Sequence, residues 1–358
     1  MTNANTVSYN SVITPQVALR LEQFDHLMES SEQEHIMKHE ACDIHQVYTL
    51  GTGAFCNVSF VISKSVNKGL AMKRLCQKKI LSSAKCFLEA ATDLIMEAHF
   101  LSKLDHPHII KLRGVSALSF SASFQEITDG YFLTMDIMAE ILKDRLQRWR
   151  QDPSCYQRRR GIRSRLTGKG KKLDLYRMHC RLNTVAVGIA NAMDYIHKRK
   201  IILRDLKPAN IGFQETTDEV CLFDFGFARE ISTCNNDIIC GTPRYMAPEA
   251  MRGKGYSFKS DVYSFGVLLH EIASLRHLKR RKKESIFKCH PFLNDISCHD
   301  IATLIKECLS YDPEDRPSFD TILITLRTMI VTSKILKKET SGECTMSRPL
   351  ANASEITQ

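Results

Sequence analysis

Four polar residues fall close together in this 358-residue chain. Asp205, Lys207 and Asn210 lie in Leu203-Arg204-Asp205-Leu206-Lys207-Pro208-Ala209-Asn210, and Asp224 opens Asp224-Phe225-Gly226 fourteen residues beyond Asn210. Moving a phosphoryl group asks little covalent chemistry of a protein: the acceptor oxygen must be held in line, its proton taken, and charge on the phosphates neutralised. An aspartate can accept the proton, a lysine can hold the transferring group, and an amide with a carboxylate can hold a hard cation through oxygen. The four residues thus point to phosphoryl transfer, with Asp205 as base or orienter, Lys207 as the cation, and Asn210 and Asp224 as metal ligands. Either tripeptide-sized piece alone is ordinary turn chemistry. The reading rests on order and spacing with further motifs.

Such a loop needs elements to position it. From about Ile44 the pattern turns to strands, and Leu50-Gly51-Thr52-Gly53-Ala54-Phe55-Cys56-Asn57-Val58 sits between two of them. Glycines there let backbone amides approach phosphate oxygens. Ala71-Met72-Lys73 follows on the next strand, where a half-buried lysine needs an anion. Between Lys85 and Leu104 the positions Phe87, Ala91, Leu94, Ala98 and Leu101 predict one helix face, with Glu97 beside it. Asp174 is expected to cap a second helix with the apolar face Leu175, Met178, Leu182, Val185, Ile189, Met193 and Ile196, which delivers the chain to the 203–210 loop. Leu304 to Leu309 and Ile322 to Ile330 carry two more helical patterns. Residues 1–43 form an N-terminal extension in which Val17, Leu21, Phe24 and Met28 follow a Thr14-Pro15 start at helical spacing.

Downstream stand Gly241-Thr242-Pro243-Arg244-Tyr245-Met246-Ala247-Pro248-Glu249, Ser260-Asp261-Val262-Tyr263-Ser264-Phe265-Gly266-Val267 and Asp315-Arg316-Pro317. Together with the earlier motifs, these make residues 44–332 resemble the eukaryotic protein kinases of serine/threonine type, closest in wording to the tyrosine-kinase-like branch. The resemblance implies an α+β, two-lobed protein kinase fold. Its small lobe (44–138) would be antiparallel strands with one helix, and its large lobe (139–332) mainly helical. ATP with Mg²⁺, or Mn²⁺ in its place, would occupy the cleft, and the γ-phosphoryl group would pass to a Ser or Thr hydroxyl of a protein substrate. By the same resemblance Leu50, Gly51, Thr52, Gly53, Ala54, Phe55, Val58 and Ala71 line the nucleotide, Lys73 pairs with Glu97 to grip its phosphates, Met135 is the gatekeeper, and the backbone of Asp136 to Met138 meets adenine. Thr242 would bond Asp205 and Lys207, Glu249 would pair with Arg316, and Asp261 would anchor the catalytic loop.

The chain departs from the family's pattern in three places. Cys56 replaces a glycine, Leu203 replaces a histidine in an apolar column with Phe225 and Leu101, and Gly212 is smaller than the residue usual beneath adenine, an expected loosening of the nucleotide fit. Arg204 implies a phosphate on the segment before Glu249, where Ser232 and Thr233 offer hydroxyls. Asp237 is the candidate to stand in for that phosphate.

The 50 Lys and Arg against 40 Asp and Glu give a net charge of +10, and the excess is local: residues 145–172 hold eleven Arg or Lys and one acid, Asp152. So few apolar residues predict a mobile basic insertion over 144–173. A nuclear-import receptor or an acidic protein is the partner it would suit, nucleic acid being disfavoured because it rests on this insertion alone. A second basic run is Lys279-Arg280-Arg281-Lys282-Lys283. The thirteen cysteines show no metal-ligand spacing, which suits free thiols in a reducing compartment. With no apolar run of membrane length and no signal pattern, a cytoplasmic or nuclear location is expected. The tail over 333–358 is polar and expected to be disordered. The competing class is a pseudokinase scaffold that binds nucleotide or partners without transfer; it is disfavoured because Lys73, Asp205 and Asp224 are all present.

Overall fold

Thr14 starts the first helix, α1 (Pro15–Glu29), by accepting the Val17 amide at 3.3 Å. Pro15 follows at the first helical position, where a missing N–H is no loss. Val17, Leu21 and Phe24 are buried along one face, as their spacing predicts. The computed structural model describes residues 13–29, 36–76, 79, 83–125, 130–152, 168–234, 239–277, 296 and 298–339.

Past α1, β1 (Met37–His39) joins a six-stranded sheet of order β1-β5-β6-β4-β3-β2. Its other strands are β2 (Ile44–Thr52), β3 (Cys56–Ser63), β4 (Lys68–Leu75), β5 (Leu112–Ser116) and β6 (Phe132–Met135). Helix α2 (Ala84–Lys103) begins where the Ser83 hydroxyl accepts the Cys86 amide at 3.1 Å, and it buries Phe87, Ala91, Leu94, Ala98 and Leu101. A one-turn helix, α3 (Ala122–Gln125), lies between β5 and β6. The small lobe is the expected sheet with helix α2, to which the N-terminal extension adds α1, packed on α2, and β1, which pairs in parallel with β5.

After β6 come β7 (Met138–Ile141) and α4 (Leu142–Gln151). The predicted insertion loop is in this part a helix, because Leu142, Leu146 and Trp149 fall one turn apart and are buried. Arg145 is buried with them: it donates to Glu140 at 2.8 Å and Asp218 at 2.6 Å, and its guanidinium lies 3.3 Å from the Phe213 ring centroid. A charge count places Arg145 in solvent, whereas its stem and head are used inside the lobe. Residues 153–167 and the second basic run, 279–283, lie outside the described residues.

Helix α5 (Gly168–Arg181) continues through a π segment, Leu182–Ala186, into α6 (Val187–Lys198). It starts inside the expected insertion, so Asp174 lies within the helix and does not cap it. The apolar face beyond Leu175 is buried as predicted. Short strands β8 (Ile201–Ile202), β9 (Ile211–Gln214), β10 (Val220–Leu222) and β11 (Arg229–Glu230) pair as β10-β9-β7 and β11-β8. They bracket the 203–210 loop and Asp224. Helices α7 (Pro248–Met251), α8 (Phe258–Ser274), α9 (His299–Cys308) and α10 (Phe319–Glu339) complete the large lobe. All of α8 from Ser260 to Ser274 is buried, which makes it the lobe's central helix. Helix α10 runs past the expected domain end at 332; residues 340–358, the rest of the predicted tail, lie outside the described residues. One continuous apolar core extends from α1 through both lobes to α10.

Candidate active site

The lobes meet at Lys73. Its ammonium donates to Glu97 Oε2 at 2.5 Å and to Asp224 Oδ1 at 2.8 Å, joining β4, α2 and the stretch after β10. Burial alone would pull the Lys73 ammonium down, but Asp224 and Glu97 outweigh it and hold it well above its ordinary value. The Asp224 carboxyl is held below the usual carboxylate range chiefly by Lys73. Glu97, enclosed by protein, is pushed up by burial while Lys73 and the Phe225 amide pull against that. Phe225 is fully buried, with Leu203 and Leu101 in the same core, so leucine in place of histidine keeps the apolar packing. Gly226 backs onto α2: a Cβ there would stand 3.0 Å from the Asp93 carbonyl.

Asp205 is buried between β8 and β9 with both carboxylate oxygens engaged. Oδ1 accepts the Thr242 amide at 2.8 Å, and Oδ2 accepts Lys207 Nζ at 2.5 Å and Asn210 Nδ2 at 3.3 Å. Lys207 also donates to the Thr242 hydroxyl at 3.0 Å, so the predicted three-way contact forms. Gly241 makes it possible: its φ of 99° disfavours side chains, and a Cβ would stand 2.6 Å from the Arg204 carbonyl. The loop is pinned from below by Asp261, which accepts the Leu203 and Arg204 amides and His197 Nε2, each at 2.9 Å. Arg204 and Asp224 both adopt left-handed backbone, at φ 69° and 68°. Such strain at non-glycine residues persists only where surrounding bonds enforce it.

These residues fit a divalent cation. The Asn210 amide nitrogen donates to the Asp205 carbonyl at 3.0 Å, which leaves its oxygen as the ligand atom beside an anionic Asp224. Among the described residues no group of three His, Cys, Asp or Glu gathers. One carboxylate and one amide suit Mg²⁺, which commonly completes its shell with water and phosphate.

Several of the residues expected to line a nucleotide share the six-stranded sheet. Val58 pairs with both Gly51 and Lys73, and Ala71 with Met135. Nothing stands within 4 Å of where a Gly51 Cβ would be, so the glycine leaves open room beside the strand edge. Leu50 is exposed, and Phe55 folds down onto the core. Burial pushes the neighbouring Cys56 thiol up to about 12, so it stays protonated. The Asp136 side chain turns away into a bidentate pair with Arg113 at 2.8 and 2.6 Å. Gly212 does not loosen the floor as expected: Met138 fills the space, and a Cβ on Gly212 would stand 2.5 Å from its Cγ.

The family model described as "Protein kinase domain" matches residues 44–325. The chain belongs to the protein kinase family. A probable serine/threonine-protein kinase of Dictyostelium discoideum is 36% identical over 166 residues, 44% of this chain and 39% of that protein. The catalytic subunit of cAMP-dependent protein kinase from Schizosaccharomyces pombe is 31% identical over 231 residues, covering 64% and 37%. Human serine/threonine-protein kinase Nek11 is 29% identical over 230 residues, covering 64% and 30%. The chain thus matches well under half the length of these relatives. None of the three is described as tyrosine-kinase-like.

Within the kinase domain, Glu249 and Arg316 form the expected bidentate bridge at 2.7 and 2.9 Å, with the Arg316 side chain fully enclosed. The Arg204 guanidinium donates to the Phe227 carbonyl at 2.6 Å and lies 4.0 Å from the Cys234 thiol. Ser232 and Thr233 are exposed, and Asp237 lies outside the described residues. Sequence reasoning missed two contributors. His197 bonds Asp261, although its place at the end of an apolar helix face gave no sign of it. Tyr256 donates to the Cys240 carbonyl at 2.5 Å and accepts the Cys240 amide at 2.8 Å, fixing the segment that carries Thr242.

Proposed function

We propose that the chain is a protein serine/threonine kinase that transfers the γ-phosphoryl group of ATP to a Ser or Thr hydroxyl of a protein. The observation that carries this reading is the bonded set Asp205–Lys207–Thr242, which places a carboxylate, a cation and the downstream segment around one point. Lys73, held by Glu97, would grip phosphate oxygens. Asn210 and Asp224 would hold Mg²⁺, which supplies charge neutralisation on the phosphates. Asp205 would orient the acceptor hydroxyl and take its proton, and Lys207 would stabilise the transferring group. The residues a scaffold without chemistry could lose are all in bonding positions, which weighs against the pseudokinase reading.

Asp205→Asn is expected to lower kcat by about 10²- to 10⁴-fold. The assay is transfer of labelled γ-phosphate to a basic protein, and an equal rate for wild type and variant would overturn the kinase reading. An import receptor or acidic protein as partner rests on residues 153–172, since Arg145, Arg148 and Arg150 already have acceptors inside the lobe. The ten described cysteines are all free thiols. Among the described residues no helix is long and apolar enough to cross a membrane.

A further inference from the structure

Helix α2 carries Glu97 on the face toward Lys73, and its outer side is covered by α1. The cover is anchored by specific bonds as well as by apolar burial. Phe24 meets Phe120 edge-on at 5.6 Å, Phe120 meets Phe124 at 5.1 Å, and Phe124 meets Phe87 of α2 edge-on at 5.1 Å. One aromatic chain thus links α1 to the helix bearing Glu97. Next to Phe24, the Asp25 carboxylate accepts the Phe120 amide at 2.5 Å and the Ser121 amide at 3.2 Å, fixing the turn that holds Phe120. A third tie is direct: the ring of His99, two residues beyond Glu97, donates to the Leu27 carbonyl. On the far side β1 is paired in register with Gly114 to Ser116, and the Ala117 amide donates to the His39 carbonyl at 2.8 Å. Both α1 and β1 are therefore tied to the small lobe.

We propose that α1 is a positioning element for phosphoryl transfer, with Phe24 and Asp25 holding α2 in the place where Glu97 meets Lys73. The inference rests on the kinase reading above. Swinging Glu97 away from Lys73 would require α2 to pull Phe87 off Phe124 and His99 off Leu27, or to carry α1 with it and expose Val17, Leu21 and Phe24, which are almost fully enclosed. Phe24 and Asp25 touch neither nucleotide nor substrate; they act through Phe120, Phe124 and Phe87. Their loss should weaken the grip of Lys73 on phosphate more than the seating of a protein substrate.

The test uses the full chain as wild type, Phe24→Ala, Asp25→Ala, Asp25→Asn and Asp205→Asn. Steady-state transfer with ATP and the protein substrate varied separately is read beside hydrogen exchange of the amides in 84–103. In Phe24→Ala and Asp25→Ala the expected result is a KM for ATP raised about tenfold, kcat lowered by a similar factor, an unchanged KM for protein, and faster exchange in α2. Asp25→Asn keeps an acceptor oxygen and should recover most of the loss. If Phe24→Ala does not fold, Asp25→Ala, which opens no core, carries the test alone. A lowered melting temperature with wild-type KM, kcat and exchange in 84–103 would overturn the positioning role. Should wild type transfer no more label than Asp205→Asn, the kinase reading is what fails, and the exchange data still decide whether α1 holds α2.

Discussion

Single side chains explain why this site accepts the departures from its family's pattern. Gly212 and Met138 are complementary, so the space a side chain at Gly212 would take is filled from β7. Gly212→Leu is expected to displace Met138 and raise KM for ATP about tenfold, and adding Met138→Ala should recover much of it; overpacking of this kind typically costs about 1–3 kcal/mol. Asp93 sits behind Gly226, and burial pushes its carboxyl to about 7, with Arg229 and Lys73 opposing and Asp224 and Glu97 assisting. A carboxyl raised on folding contributes stability that is present at low pH and lost as pH rises through its folded value. Chemical denaturation without nucleotide or metal should therefore show wild type losing stability relative to Asp93→Asn between about pH 4 and pH 8, by on the order of 2 kcal/mol. A constant difference across that range would show that Asp93 does not titrate there.

At the scale of elements, three separate pieces hold the 203–210 loop in place. Asp261 from α8 pins its amides, Thr242 closes over Asp205, and Tyr256 fixes the segment leading to Thr242. Glu249 and Arg316 tie the end of that segment to the turn before α10, and Ser260 also donates to Glu249 at 3.1 Å. Burial works against the Glu249 carboxylate, but the Arg316 guanidinium more than compensates and holds it below its usual range. Breaking the pair from one side leaves a charge buried and alone. Arg316→Ala should lower unfolding stability by about 3–5 kcal/mol, read by urea denaturation, whereas an unpaired surface charge would cost under about 1 kcal/mol.

Across the whole molecule, the start of the basic insertion is part of the large lobe. Arg145 and Trp149 belong to the large-lobe core, and Arg150 donates to the Leu275 carbonyl at the end of α8. Removing residues 153–167 should leave the melting temperature and phosphoryl transfer close to wild type, because the acceptors of Arg145, Arg148 and Arg150 all lie elsewhere in the chain. Removing 145–172 should unfold the large lobe at markedly lower temperature. Equal melting temperatures for the two deletions would contradict the role assigned to α4.

The residues of the site were legible in the sequence because each chemical task admits few residue types, and the chain spaces them as the family does. Lys73, Glu97, Asp205, Lys207, Asn210, Asp224 and Thr242 are brought together as their motifs implied. Helix faces were legible for a similar reason, since a 3.6-residue period marks a buried stripe wherever the partner lies. What the period does not carry is the identity of that partner. Only the tertiary structure decided that the face of α1 closes onto α2, that Met138 fills the gap at Gly212, and that Arg145, counted with a solvated insertion, is buried in α4. Each depends on groups distant in sequence meeting in space, Asp25 with Phe120 or Arg145 with Asp218, and no local pattern encodes such a meeting.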